Sequence, residues 1–255
     1  MNYPLITSIL FLIVLYFLYN FFKTEKFITE ASSNIKFMTA TETAEFINND
    51  SDNYVRTLSQ WDLYARKSNL QDDYKKNASN AALDFTDDQK GRFIPACNKA
   101  DRFFRKTKID GIDCCKIAAI PWILAQTKNR SYEDGLSHTR ENIIFISTTL
   151  NEDEDSLVKT MIHEKVHIYE RMYPEDMAKY LQINNFTTWK QRLGIPRIRA
   201  NPDLDSWIYF DESTQKPMVA YYSSDKPHNI TDVFLDNNAY EHPYELLAYR
   251  IAEQY

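Results

Sequence analysis

The chain has 255 residues, 44% of them hydrophobic and 14% aromatic, enough for one medium-sized globular domain beside a short apolar segment. Its formal net charge of -6 sets it apart from nucleic-acid-binding chains, which carry a basic patch or stripe. Only 4 glycines are present and neither GxGxxG nor GxxxxGK[ST] occurs, which excludes the common dinucleotide and phosphate loops.

Residues 1–22 hold no charged side chain, and Pro4 to Phe22 is almost wholly apolar or aromatic. About 19 residues at ~1.5 Å each cover roughly 28 Å, close to the hydrocarbon core of a bilayer. A single transmembrane anchor is therefore predicted for 1–22, with the membrane as a partner through residues 4–22. A cleaved signal peptide fits less well, because no Lys or Arg precedes the run and no small-residue cleavage site follows closely. The side of the membrane stays open. Lys23 and Lys26 favour a cytoplasmic domain, whereas five Asn-x-Ser/Thr sequons suit a lumenal one. Residues 23–38 read as a polar tether.

A helical N-terminal region is predicted over 39–116. Thr39 and Glu42 fit a capping box, and Val55, Leu58, Trp61 and Ala65 recur at helical spacing. Asn69 to Asn80 reads as a polar connector. Thr86 and Gln89 cap a further helix, and Pro95 starts or kinks another with Cys97, Ala100 and Phe104 on one face. Near residue 117 the period changes. Ile117–Ala125 suits a buried strand, Ser131–Gly135 a turn and Asn142–Ser147 a second strand. Asn151 and Glu154 form another capping pair before a helix whose apolar stripe is Val158, Met161, Ile162, Val166 and Tyr169. A helix near Glu175–Ile183, a hairpin of Trp207–Phe210 against Met218–Tyr222 and a helix opening at Pro243 complete the reading. Cys97, Cys114 and Cys115 show no CxxC spacing, so a cysteine zinc knuckle is not expected.

His163-Glu164-Lys165-Val166-His167 is an HExxH sequence. Histidines four apart lie one turn apart on one helix face, so both imidazoles reach a single ion, while the intervening Glu projects to the flank. The pattern makes His163 and His167 metal ligands, zinc the cofactor and Glu164 the catalytic base. Zinc lowers the pKa of a bound water toward ~7, and a carboxylate beside it accepts the proton. A catalytic zinc needs a third protein ligand, for which His138, His228, His242 and the downstream carboxylates are available.

Further on, Glu241-His242-Pro243-Tyr244-Glu245-Leu246-Leu247-Ala248-Tyr249 places Glu245 in the first turn of a helix, with the small Ala248 after it. Together with HExxH this segment resembles the gluzincin peptidases, the class that includes thermolysin, in which a Glu in a PxExxA-like context completes the site. The resemblance implies Glu245 as third ligand, with Glu241 and His242 as fallbacks. It also implies an α+β zincin-like domain over 117–255, mainly helical, with a small mixed sheet beside the active-site helix. Asn142–Ser147 would be the edge strand that binds peptide backbone, and Tyr221, Tyr222, Tyr240, His228 and His138 are eligible oxyanion donors. The metzincin pattern HExxHxxGxxH is not met, since His167 is followed by Ile168-Tyr169-Glu170-Arg171-Met172-Tyr173. Asn201–Asp205 fits either a metal loop or a plain turn. The expected function is a membrane-anchored zinc metallopeptidase acting on a peptide or protein substrate. The alternatives are an inactive zinc-binding interaction protein of the same fold and a zinc hydrolase of another amide or ester.

Overall fold

A computed structural model describes Tyr16, residues 34–236 and residues 239–255. The expected anchor, Tyr16 apart, and residues 23–33 of the expected tether lie outside the described residues. Among the described residues no helix is long and apolar enough to cross a membrane. In chain order the first elements are β1 (Ile35–Phe37), α1 (Ala40–Asn49), α2 (Gln60–Ala65), α3 (Gln71–Asn80), β2 (Ala82–Leu83), α4 (Asp87–Phe104) and α5 (Cys114–Ala119). Next come β3 (Trp122–Thr127), β4 (His138–Arg140), β5 (Ile143–Ser147), α6 (Glu154–Met172), α7 (Pro174–Ile183), β6 (Phe186–Gln191) and β7 (Trp207–Asp211). The last are β8 (Lys216–Met218), β9 (Ala220–Tyr222), β10 (Val233–Leu235) and α8 (Pro243–Ala252). The fold class is α+β.

The main sheet runs β1-β3-β5-β4, with β2 paired to the far end of β3. β1, β3 and β5 are parallel, and β4 is antiparallel to β5. Successive side chains of a strand point to opposite faces, and here both faces are covered. Trp122, Leu124, Ile144 and Ile146 enter one core with α4, α5, α6 and α8. Ala125, Ile143 and Phe145 enter a second core, with Ile123 packed against it, under α1 and α3. The stretches before and after residue 117 thus share one sheet, since β1 and β2 both pair with β3.

Several local expectations are corrected. Residues 35–37, at the end of the expected tether, form β1. The polar connector at 69–80 is helix α3. Its few apolar groups, Tyr74 and Ala78, are one turn apart and buried, while the polar majority faces water. The helix expected through Val55–Ala65 is broken. Asp50 ends α1 in the left-handed region, Val55–Thr57 is a 3-10 turn, and Ser59 caps α2 with its own capping box. Ile117–Ala125 splits because Asp113 caps α5 and Pro121 stops it, so the strand begins at Trp122. Asp153, not Asn151, caps α6, accepting from Ser156 N at 2.8 Å. Pro95 lies inside one continuous α4, on which Cys97, Ala100 and Phe104 are buried as expected. The expected hairpin partner divides in two: β8 pairs with β7, and β9 pairs with β10.

Buried ions tie the layers together. Lys165 on α6 donates to Asp101 of α4 at 2.6 Å and lies 4.1 Å from the Trp122 ring centroid, while Trp122 Nε1 donates to the same carboxylate. Arg66 is buried against Glu133, and Tyr54 and Tyr222 share its guanidinium. Burial alone would raise Glu133, but the Arg66 charge and hydrogen bonds outweigh it and hold the carboxyl below its ordinary 4.5. A carboxyl depressed in the folded state stabilises above its unfolded pKa, and that contribution fades as pH falls through the folded value. Stability should therefore drop on the acid side of 4.5, and Glu133→Gln should flatten that limb in urea melts across pH. Asp101→Ala leaves Lys165 buried without its ion partner and should cost about 3–5 kcal/mol in chemical unfolding. Most of that loss should return in Asp101→Ala/Lys165→Met, and equal losses in both variants would count against an unpaired charge as the cause.

Candidate metal centre

Helix α6 is buried over most of its circumference, from Leu157 to Glu170. Its HExxH segment therefore reaches the solvent only through the cleft between α6, α8 and the loops beside them. Helix α8 packs against α6 through Leu247, Ala248 and Ile251, all buried in the same core. Ala248 is fully buried, and its small side chain lets the two helices approach closely. His242 caps α8 by accepting from Tyr244 N at 3.1 Å, and Pro243 follows at the first helical position.

That packing brings His163, His167 and Glu245 together, with ligand atoms all within 4.8 Å of one another. His163 Nε2 lies 3.0 Å from His167 Nε2 and 3.5 Å from Glu245 Oε2, and His167 Nε2 lies 3.9 Å from the same oxygen. Donors roughly 2.0–2.1 Å from a tetrahedral zinc would stand about 3.3 Å apart, within the range of these separations. Two imidazoles and a carboxylate also make a donor set that suits a catalytic zinc. The residues fit the ion.

Neighbouring groups fix the ligands. His167 Nδ1 donates to Glu170 Oε2 at 2.7 Å, which leaves Nε2 to face the cluster. Glu245 Oε1 accepts from Asn201 Nδ2 at 2.8 Å, and the same amide bonds Glu241, which is paired with Arg199. Burial disfavours charge on His167, yet the Glu170 and Glu245 carboxylates push it up to about 10. His163 is driven well below its ordinary value by burial and by the charge on His167. Burial raises both Glu164 and Glu245, the second to about 7, and the Asp203 carboxylate adds to each. A cluster that penalises its own carboxylates in this way calls for added positive charge.

Glu164 is buried, and its enclosed Oε2 accepts from no group among the described residues; the Oε1 of Glu170 is likewise unpartnered, although its Oε2 is held by His167. Glu164 lines a cleft of about 870 Å³ that also exposes His163, Asn201, Asp203, Tyr249 and the chain from Gly135 to His138.

The fallback ligands are turned elsewhere. Glu241 is taken by Arg199 and Asn201, and His242 Nε2 faces Asp205 at 3.3 Å. Among the eligible oxyanion donors, Tyr222 is buried and its hydroxyl donates to Asp62, while His228 is exposed outside the cleft lining. Tyr221 stacks on Phe234. His138 lines the cleft, but its Nδ1 donates to Leu136 O, and its buried Nε2 has no partner among the described residues. Tyr240 lines the cleft as well.

The edge-strand expectation is corrected. β5 is paired on both sides, by β3 and by β4, so the edge strand is β4, and its outward Thr139 N–H and carbonyl are taken by Asp203 and Arg171. The loop 201–205 forms a wall in which Asp203 accepts from Thr139 N and Oγ1.

Four site residues escape the sequence reading. Glu170 was detectable three residues after His167 on the same helix face, and Tyr249 four residues after Glu245, its ring 4.5 Å from that of His163. Asn201 and Asp203 come from the 201–205 loop, which the sequence offered as a metal loop or a plain turn without showing that it would reach Glu245 and Thr139. No known family, curated protein or solved structure matches this chain. Glu170→Gln should weaken retention of added Zn2+ by roughly 10–100-fold in chelator competition, and an unchanged affinity would deny Glu170 its orienting role.

Proposed function

We propose that this chain is a zinc-dependent peptidase of the gluzincin type. The observation that carries the reading is the convergence of His163, His167 and Glu245 beside an unpartnered Glu164 in an open cleft. Zinc held by these three side chains would supply Lewis acidity toward a substrate carbonyl and a nucleophilic water near neutral pH. Burial pushes the Glu164 carboxyl well above its ordinary value, and positive charge beside it would offset that. As a carboxylate it would take a proton from the attacking water and return it to the leaving amine.

Little of the backbone along the cleft wall is free. Thr139 of β4 is sealed, since its N–H is held by Asp203 and its carbonyl by Arg171. Beyond it, Gly135, Leu136 and Ser137 line the cleft; the Gly135 and Leu136 N–H groups and the Leu136 carbonyl are held within the chain, so a substrate lying there would be met by side chains and by Ser137. Membrane anchoring through residues 4–22 belongs to the same proposal and would confine the enzyme to substrates near a bilayer.

The full-length chain purified in detergent should hold about one zinc, as the one three-residue site among the described residues requires, and His163→Ala and Glu245→Ala should lose it. Glu164→Gln should keep the metal while peptide cleavage falls roughly 10²–10⁴-fold. A parent that takes up no zinc when metal is supplied would sink the proposal. Zinc without peptide cleavage, but with turnover of another amide or ester, would favour the non-peptidase hydrolase. Zinc with neither would leave the inactive binding protein.

A further inference from the structure

Charge is unevenly distributed along the sequence. Between Met177 and Pro202 the chain carries Lys179, Lys190, Arg192, Arg197 and Arg199 and no acid, although acids outnumber bases 36 to 30 overall. In the structure this stretch contains β6, which apart from Phe186 is exposed along its whole length. Trp189 sits at the register shift between Thr188 and Lys190, and Lys190 Nζ lies 3.8 Å from its ring centroid. Gln191 pairs with Trp207 of β7, and Arg192 N donates to Ser206 O at 2.7 Å, which closes the end of the hairpin. Leu193 and Gly194 project beyond that closure. A Cβ built on Gly194 meets no atom within 4 Å. Trp189 is 49% exposed, Leu193 47% and Trp207 41%. Lys190 and Arg192 form no ion pair among the described residues, whereas Lys179, Arg197 and Arg199 each have one.

We propose that this hairpin end, formed by Trp189, Lys190, Arg192, Leu193 and Trp207, docks onto the headgroup region of a bilayer that contains anionic lipid. Tryptophan, with an apolar ring and a polar N–H, partitions to the membrane–water boundary, and unpaired bases beside it are drawn to anionic headgroups. A protein of net charge -6 is repelled by such a surface unless it presents bases locally, and here the nearest acids are engaged, Asp205 by the Trp207 N–H and Tyr209, and Glu212 by Thr187 at the far end of β6. The chain also keeps that surface within reach. Residues between the apolar run ending at Phe22 and the described domain at Asn34 span at most roughly 40 Å when fully extended. Pairing with a second copy through β6 fits less well, because the register shift and Lys190 both disrupt the exposed edge. The docking does not depend on the metal. It would nevertheless orient the cleft, since the same acid-free stretch runs on to Asn201 at Glu245.

The test uses the full-length chain reconstituted into phosphatidylcholine vesicles with and without phosphatidylserine, each prepared with and without brominated acyl chains. Tryptophan emission is read on the fraction that floats with the vesicles. In anionic vesicles the emission should be blue-shifted and quenched by bromine. The quenching should disappear in Trp189→Phe/Trp207→Phe, because Trp122 is buried and Trp61, half-buried, packs against a separate core away from this hairpin. It should also weaken in Lys190→Gln/Arg192→Gln, at high salt, and in vesicles lacking phosphatidylserine. All the substituted side chains are surface groups, so an unchanged melting temperature would show that the fold is retained. Absence of bromine quenching in the parent overturns the proposal and leaves the patch to a protein partner. Quenching that persists in Trp189→Phe/Trp207→Phe overturns it equally, since the contact then lies elsewhere.

Discussion

A helix buried on almost its whole circumference can carry ionisable residues only where a partner meets them, and α6 carries Glu164, Lys165, His167, Glu170 and Arg171. The requirement draws in much of the fold. Lys165 takes Asp101 from α4 and the Trp122 ring from β3, while His167 takes Glu170 from its own helix. Arg171 takes carbonyl oxygens of Thr139, Glu141 and Pro202, joining the edge strand to the loop that forms the cleft wall. Glu164 lines the cleft, and its Oε2 is left without a donor among the described residues. Enclosing a carboxylate that way is costly for folding, and chemistry at the cleft is what would make use of it.

The same logic explains how the N-terminal helices belong to the site without touching the ligands. Arg66 from the end of α2 and Tyr74 from α3 both bond Glu133, which lies just before the cleft-lining residues 135–138. Arg140, at the end of β4, is buried against Asp50 and Tyr132. Both ends of this cleft-lining segment are thus clamped by buried ions. Such a segment is held by many specific bonds rather than by area alone, so it presents a fixed wall to a ligand.

Charge is sorted at a larger scale too. Carboxylates gather where the proposed metal site needs them, and the acid-free stretch projects from a separate small sheet. One chain can therefore hold a cation-demanding cleft and an anion-seeking hairpin, because salt screens each surface charge over about 10 Å and the two sets need not cancel.

By itself the sequence determined the local pieces whose causes are local. The capping boxes at Thr39 and Thr86 stand as read, as does the HExxH helix with its apolar stripe, the helix opening at Pro243 and the strand at 143–147. The spacing of His163 and His167 puts them on one helix face, whereas Glu245 beside them was implied only by the resemblance to gluzincins, and it is the packing of α8 on α6 that brings it there. Only the tertiary structure decided the rest. A helix at 71–80 needed the burial of Tyr74, which no local period announces. That β4 rather than β5 is the edge strand depends on pairing between strands remote in sequence. Asn201 and Asp203 reach the site through a loop, and a loop carries no hydrophobic period to show where its polar side chains will point. Periodicity reports which side of an element is buried; which partner lies opposite is settled when the elements pack.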